Sequence, residues 1–326
     1  MLFCCALALS ILAAPDHVAG DIAVGDRPSH TFSEAPFGLP GLQRLEELRG
    51  AATLIVFADP AQTKGFAKIA AEASAVRKRY AGDLAVILVA PPAESSWREA
   101  HAQRCFAGGV AFSTEEVVAA PAGVRPFAVV LDAFGEVLHA EKASLDLDAA
   151  RKAVEIAVTG VKSAEAYAPG ELGSVWKSFE KGLVQQGLDE LAKLEKSSDA
   201  TMQQMAATAM EWWRPRVLSP LERAERLLAE QRWSEARSLL DAHFARFPGL
   251  AKAQDPVAER ARAARAQIPT DAAARAADEA LEALTQEIVR KGPTKALREK
   301  LARLAADAGE ERVAARAKTL LLRLAP

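Results

Sequence analysis

Two continuous apolar runs of strand length, residues 53–58 (Thr-Leu-Ile-Val-Phe-Ala) and 85–90 (Ala-Val-Ile-Leu-Val-Ala), bracket a stretch of helical spacing over residues 64–80. Continuous apolar runs suit strands whose two faces are both covered, and a helical crossover between two such strands makes them parallel. A second helix is expected near residues 96–106. Residues 127–132 and 136–142 then flank Ala133-Phe134-Gly135, a short connection ending in glycine that reads as a hairpin turn. The expectation for the first half is therefore an α/β domain with a mixed sheet flanked by helices.

From about residue 162 alanine, leucine, glutamate and arginine dominate and no strand-like run appears, so the second half reads as all-helical. Its breakers, Pro169-Gly170, Pro215, Pro220, Pro248-Gly249, Pro256, Pro269 and Gly292-Pro293, are expected to cut it into helices of ordinary length. Trp233, Ala236, Leu240, Phe244 and Phe247 fall on one face at steps of three and four. Residues 224–249 resemble one tetratricopeptide helix pair, but the comparable stretch starting at Gly187 is out of that repeat's period of about 34 residues. An irregular array of helical hairpins is the resulting expectation. Trp212 and Trp213 are adjacent, so on a helix they are not expected both to face one core. One of them is expected to pack between the halves or to stand exposed for a partner, with packing the preferred use.

A chain of 326 residues exceeds one ordinary domain, and the boundaries expected are 1–19, 20–165 and 170–326. Residues 170–326 are numerous enough for an independent core, and Pro169-Gly170 is the linker candidate. The formal net charge of −2 gives no bulk attraction to nucleic acid. The apolar run over residues 2–14 is too short to span a bilayer and suits the h-region of a secretory signal, although a positively charged n-region is missing, as if the start lay upstream. The expected location is exported, periplasmic or in the cell envelope, with no transmembrane span after signal removal. Of the three cysteines, Cys4 and Cys5 lie within that run, so cleavage leaves Cys105 alone and no internal disulfide.

The first half resembles the thioredoxin-like superfamily, in particular its exported redoxin branch. The resemblance rests on Val24-Gly-Asp-Arg-Pro28 with Phe32, on residues 45–50 leading into the first strand, and on residues 123–137. That last stretch is similar in order and spacing to the family's cis-proline loop, strand and glycine turn. The likeness covers roughly residues 24–158. It implies that Pro126 is the cis-proline and that the loop Val124, Arg125 and Pro126 is a peptide-binding element, pairing with an extended substrate by strand addition.

Active members of that family place Cys-x-x-Cys after the first strand, at a helix start whose positive end keeps the first thiol reactive. The matching tetrad here is Gln62, Thr63, Lys64 and Gly65, none of which forms a thiolate. The local sequence reads instead as a helix start, with Asp59 as N-cap, Pro60 at the first helical position and Gln62 three after the cap. Thiol-disulfide exchange is not expected.

Cys105 follows His101 by four residues on a predicted helix, a weak thiol candidate, since a catalytic thiol also needs an oxyanion site. The histidines are scattered without ligand spacing, so no metal is expected, and no phosphate loop or other cofactor motif occurs. Asp146 and Asp148 follow Ser144 at a helix start, and Arg260, Arg262 and Arg265 are expected to form a solvated face with i,i+4 partners among Asp255, Glu259 and Asp271. Three functions stay open. The first is a redox-inactive thioredoxin-like protein of the envelope that binds or scaffolds a protein or extended peptide. The second is a single-cysteine enzyme using Cys105. The third is a helical adaptor whose thioredoxin-like half is purely structural.

Overall fold

The computed structural model describes residues 22–324, apart from 34, 37, 59–62, 81, 91–109, 114, 122–123, 125, 167–171, 271, 292–293 and 308–310. Strand β1 (Ala52–Phe57) leads into helix α1 (Thr63–Arg79) and β2 (Leu84–Val89), followed by β3 (Ala111–Ser113), β4 (Phe127–Leu131), β5 (Val137–Lys142) and α2 (Asp148–Ala166). The sheet order is β3-β2-β1-β4-β5. β1 pairs parallel with β2, and β2 with β3, whereas β4 runs antiparallel to β1 and β5. This mixed five-stranded sheet is compatible with the thioredoxin-like fold that the sequence resembles.

The alternation of side chains explains why the central strands read as unbroken apolar runs. Leu54, Val56, Val86, Leu88 and Val130 point to the face covered by α1 and α2, which contribute Phe66, Ile69, Ala73, Val154 and Val158. Ile55, Phe57, Ile87, Val89 and Val129 point to the other face, where Phe32, Leu42, Leu45, Leu48, Val117 and Val118 cover them. Each such side chain, fully buried, contributes about 1.5–3 kcal/mol. The β4–β5 connection closes as expected: Gly135 takes φ +81°, and the Asp132 carboxylate accepts the Phe134 and Glu136 amides at 2.8 and 2.9 Å. Burial pushes the Asp132 carboxyl pKa up, against those two hydrogen bonds.

The helical half consists, among the described residues, of α3 (Gly173–Glu180), α4 (Val184–Leu194), α5 (Ala200–Ala229), α6 (Trp233–Arg246), α7 (Pro256–Ala266), α8 (Ala272–Lys291), α9 (Lys295–Asp307) and α10 (Glu311–Arg323). Two expectations need correction here. Pro215 and Pro220 break nothing: both lie inside the 30-residue helix α5. A proline inside a helix removes one backbone bond and costs about 3 kcal/mol, yet the surrounding turns are pinned by buried Trp212, Trp213, Val217, Leu221 and Ala224. Pro256 does mark a boundary, at the first position of α7 behind Asp255, whose side chain accepts the Val257 amide at 2.9 Å.

The tryptophans give the second correction, because Trp212 and Trp213 are both buried in one core. Trp176 of α3 spans them, with ring centroids 6.2 Å from Trp212 and 4.5 Å from Trp213, and Phe179 stacks on Trp213 at 4.4 Å. A second helix laid across the pair offers a partner to each ring. Ala236, Leu240 and Phe247 of the predicted face are buried in the same core, with Trp233 and Phe244 packed against it.

Candidate functional site

β1 ends at Phe57, whose register partner across the antiparallel pair is Phe127, with ring centroids 6.3 Å apart. Pro126 immediately precedes Phe127, and α1 begins at Thr63, a short way beyond Phe57. The fold therefore brings the described parts of the two segments singled out in the sequence, Thr63 to Gly65 on one side and Val124 and Pro126 on the other, to the same end of the sheet. Val124 and Pro126 are half-buried, and Val124 packs against the Phe57 side of the core. The Pro126 carbonyl accepts the Ala143 amide at 3.0 Å, and the Val124 amide donates to the Pro121 carbonyl at 3.2 Å. Gln62, Arg125, His101 and Cys105 lie outside the described residues, as do Asp59 and Pro60 and the side chains of Thr63 and Lys64.

The first turn of α1 sits where β1 delivers it, at the carboxyl end of the parallel strands. That is where open α/β sheets present their ligand sites. Thr63, Lys64 and Gly65 form the first turn of α1 there, and none of the three carries sulfur for thiol-disulfide exchange.

The opposite end of the sheet is where the helical half docks. Arg216 of α5 donates to the Gly50 carbonyl, just before β1, and lies 3.5 Å from the Asp83 carboxylate, just before β2. Arg246 of α6 donates to the Gly82 carbonyl at 2.7 Å and to Asp83 at 2.9 Å. Arg223 donates twice to the Pro40 carbonyl, at 3.1 and 2.9 Å, and Arg226 twice to the Gly41 carbonyl, at 3.0 and 2.8 Å. Arg226 also pairs with buried Glu47. Gly50 needs to be glycine: its φ is +87°, and an added Cβ would meet the Arg216 Cβ at 2.6 Å. The β4–β5 turn completes the joint, with Ala133 buried in the helical core and Phe134 packed against it.

Behind these contacts lies a cleft of about 1430 Å³, walled by the segment around residues 31–51 and by parts of α1, α5, α6, α8 and α10. Nine arginines line it against four glutamates, a marked excess of positive charge. Burial lowers the Arg223 pKa to about 10, with Glu47 opposing the shift. Burial also raises the Glu282 pKa. Deeper in the helical half, Arg316 bridges Glu235 at 2.8 Å and fully buried Asp278 at 2.6 Å.

The sequence reading missed this arginine row. Arg216, Arg223 and Arg226 recur at helical spacing on one face of α5, but the row shows only when Pro215 and Pro220 are read as interior to a helix. Arg260 and Arg265 are exposed, as expected of a solvated face, but the partners of the cluster lie on other elements rather than at i,i+4. Arg260 pairs with Glu225 of α5 and Arg265 with Asp241 of α6 at 2.8 Å, while Arg262 donates to the Leu250 and Ala253 carbonyls. Asp255 serves two helices, accepting the Gln185 amide at 2.8 Å as well as capping α7. These charges tie neighbouring helices together.

His30 lies 3.2 Å from Glu115, and the Ser33 hydroxyl donates to the same carboxylate at 2.8 Å. Among the described residues no group of three histidine, cysteine or acidic side chains could hold a metal ion, and no helix is long and apolar enough to cross a membrane. No family model matches the chain, and no curated protein matches it.

Proposed function

We propose that this chain is a thioredoxin-like protein of the cell envelope, exported through its apolar leader, that binds an extended segment of a protein or peptide without redox chemistry. The observation supporting this is the Phe57–Phe127 pairing, with Pro126 and the thiol-free start of α1 adjoining the same end of the sheet. The helical half makes its described contacts at the opposite end, so its docking leaves that site to a ligand. An extended segment gains main-chain hydrogen bonds at such a loop, and half-buried Val124 offers it an apolar contact.

Reduced, carboxymethylated lactalbumin is a suitable probe, being unfolded and free of thiols. The full-length protein binds it saturably, and Val124→Asp weakens that binding about tenfold by placing a charge in the contact. Insulin reduction stays at the level of the no-protein control. Reduction clearly above control and lost in Cys105→Ser supports the single-thiol reading instead. Binding indifferent to Val124→Asp supports the helical adaptor.

A further inference from the structure

We infer that the arginine-lined cleft between the sheet and the helical array docks an acidic, carboxylate-bearing segment of a partner protein, at a second site separate from the sheet end.

The charge imbalance carries the argument. Of the four lining glutamates, Glu47 is taken by Arg226 and Glu235 by Arg232 and Arg316. Asp83, at the rim, serves both Arg216 and Arg246. Three of the lining arginines, Arg49, Arg77 and Arg223, make no ion pair among the described residues, and Glu47 acts on Arg223 only at longer range. Arg223, buried, spends its described hydrogen bonds on the neutral Pro40 carbonyl. Arg77, in the last turn of α1, is half-buried and makes no described ion pair or hydrogen bond. A guanidinium withdrawn from water without a counter-charge is costly. Burial alone lowers the pKa of Arg77 and leads the lowering of Arg223, as expected of under-compensated charge. An arriving anion relieves that cost.

The shape selects a segment rather than a small ion. Arg216 and Arg223 lie seven residues apart on α5, about 10 Å along the axis at 1.5 Å per residue. The cleft volume, about 1430 Å³, exceeds the roughly 300–1,000 Å³ of small-molecule pockets. Half-buried Leu239 lies among the lining charges, an apolar contact for a peptide side chain between its carboxylates. Arginine forks match carboxylates in bidentate geometry.

The test uses the full-length protein and fluorescein-labelled octaglutamate, followed by anisotropy at low ionic strength. Saturable binding is expected, weakened by added salt and absent for octalysine. Arg77→Glu, on a half-exposed helix face with no described partner to lose, weakens binding about tenfold at an unchanged thermal midpoint. Val124→Asp, at the other end of the sheet, leaves octaglutamate binding unchanged, so failure here is distinct from failure of the peptide site. The inference is overturned by no saturable octaglutamate binding, by equal binding of octalysine, by Arg77→Glu binding as well as the parent protein, or by tripolyphosphate binding where octaglutamate does not.

Discussion

Arg246 donates to Asp83 at 2.9 Å across the junction of the two halves, from the last turn of α6 to the turn before β2. The same carboxylate lies 3.5 Å from Arg216, whose side chain is 3 % exposed, so one acid serves two cations that belong to the other half. Asp83→Asn keeps the shape and removes the charge, and a charge-assisted bond of this kind contributes about 2 kcal/mol. The variant should unfold at lower urea concentration than the parent, with the loss shrinking in Arg246→Met, where half of the arrangement is already gone. Equal sensitivity in both backgrounds would mean that Asp83 and Arg246 act independently.

The joint also bears on the isolated helical half. Residues 170–326 contain most of the helical core, but Ala133 and Phe134 reach it from the β4–β5 turn. The fragment should fold cooperatively with a lower thermal midpoint than the same helices in the full chain, as read by circular dichroism. An unchanged midpoint would show that the hairpin contributes nothing to that core.

Two backbone positions at helix ends have opposite expectations. Gln231 takes φ +57° after α5, where its amide bonds the Leu228 carbonyl and the Arg232 amide bonds that of Leu227. This double closure favours glycine, because a side chain in the left-handed region costs about 1–2 kcal/mol. Gln231→Gly should therefore raise stability by about 1 kcal/mol. Gly182 occupies the same position after α3, at φ +76°, but an added Cβ would stand 2.2 Å from the Gly249 carbonyl carbon. Backbone on both sides cannot yield, so Gly182→Ala should cost several kcal/mol or prevent folding, of the order expected for severe strain in a packed core. Urea unfolding of the pair reads both effects.

The buried histidine of α6 sets a pH dependence. His243 is 3 % exposed with no partner for Nε2, and burial pushes its pKa from 6.5 down to about 4. The unfolded chain thus binds this proton more readily than the folded one. The associated stability is fully present above pH 6.5 and drains away as pH falls towards about 4. His243→Leu should remove this part of the slope and be neutral or stabilising at pH 7, since it deletes a buried unsatisfied nitrogen. Parallel pH profiles for parent and variant would contradict the assignment.

What the sequence made legible follows from how the core is built. Strands β1, β2 and β4 are covered on both faces, so their runs are continuously apolar, and the glycine turn after β4 marks the hairpin. β3 spans only Ala111–Ser113, too short for a period to emerge. The helical half was legible as helical, but not in its joints. Pro215 and Pro220 carry a strong local signal that packing around Trp212 and Trp213 overrides, and with it the arginine row on α5 stayed hidden. For the sheet-end site, residue identity excluded thiol chemistry at the tetrad, whereas its convergence with Pro126 needed the Phe57–Phe127 register, which no local pattern encodes.

The most direct test of the account is amide hydrogen exchange of the full-length protein with and without carboxymethylated lactalbumin. The account predicts protection centred on residues 124–128 and on the first turn of α1, at the carboxyl end of β1. Protection confined to α5 through α10, or none at saturating probe, would contradict it.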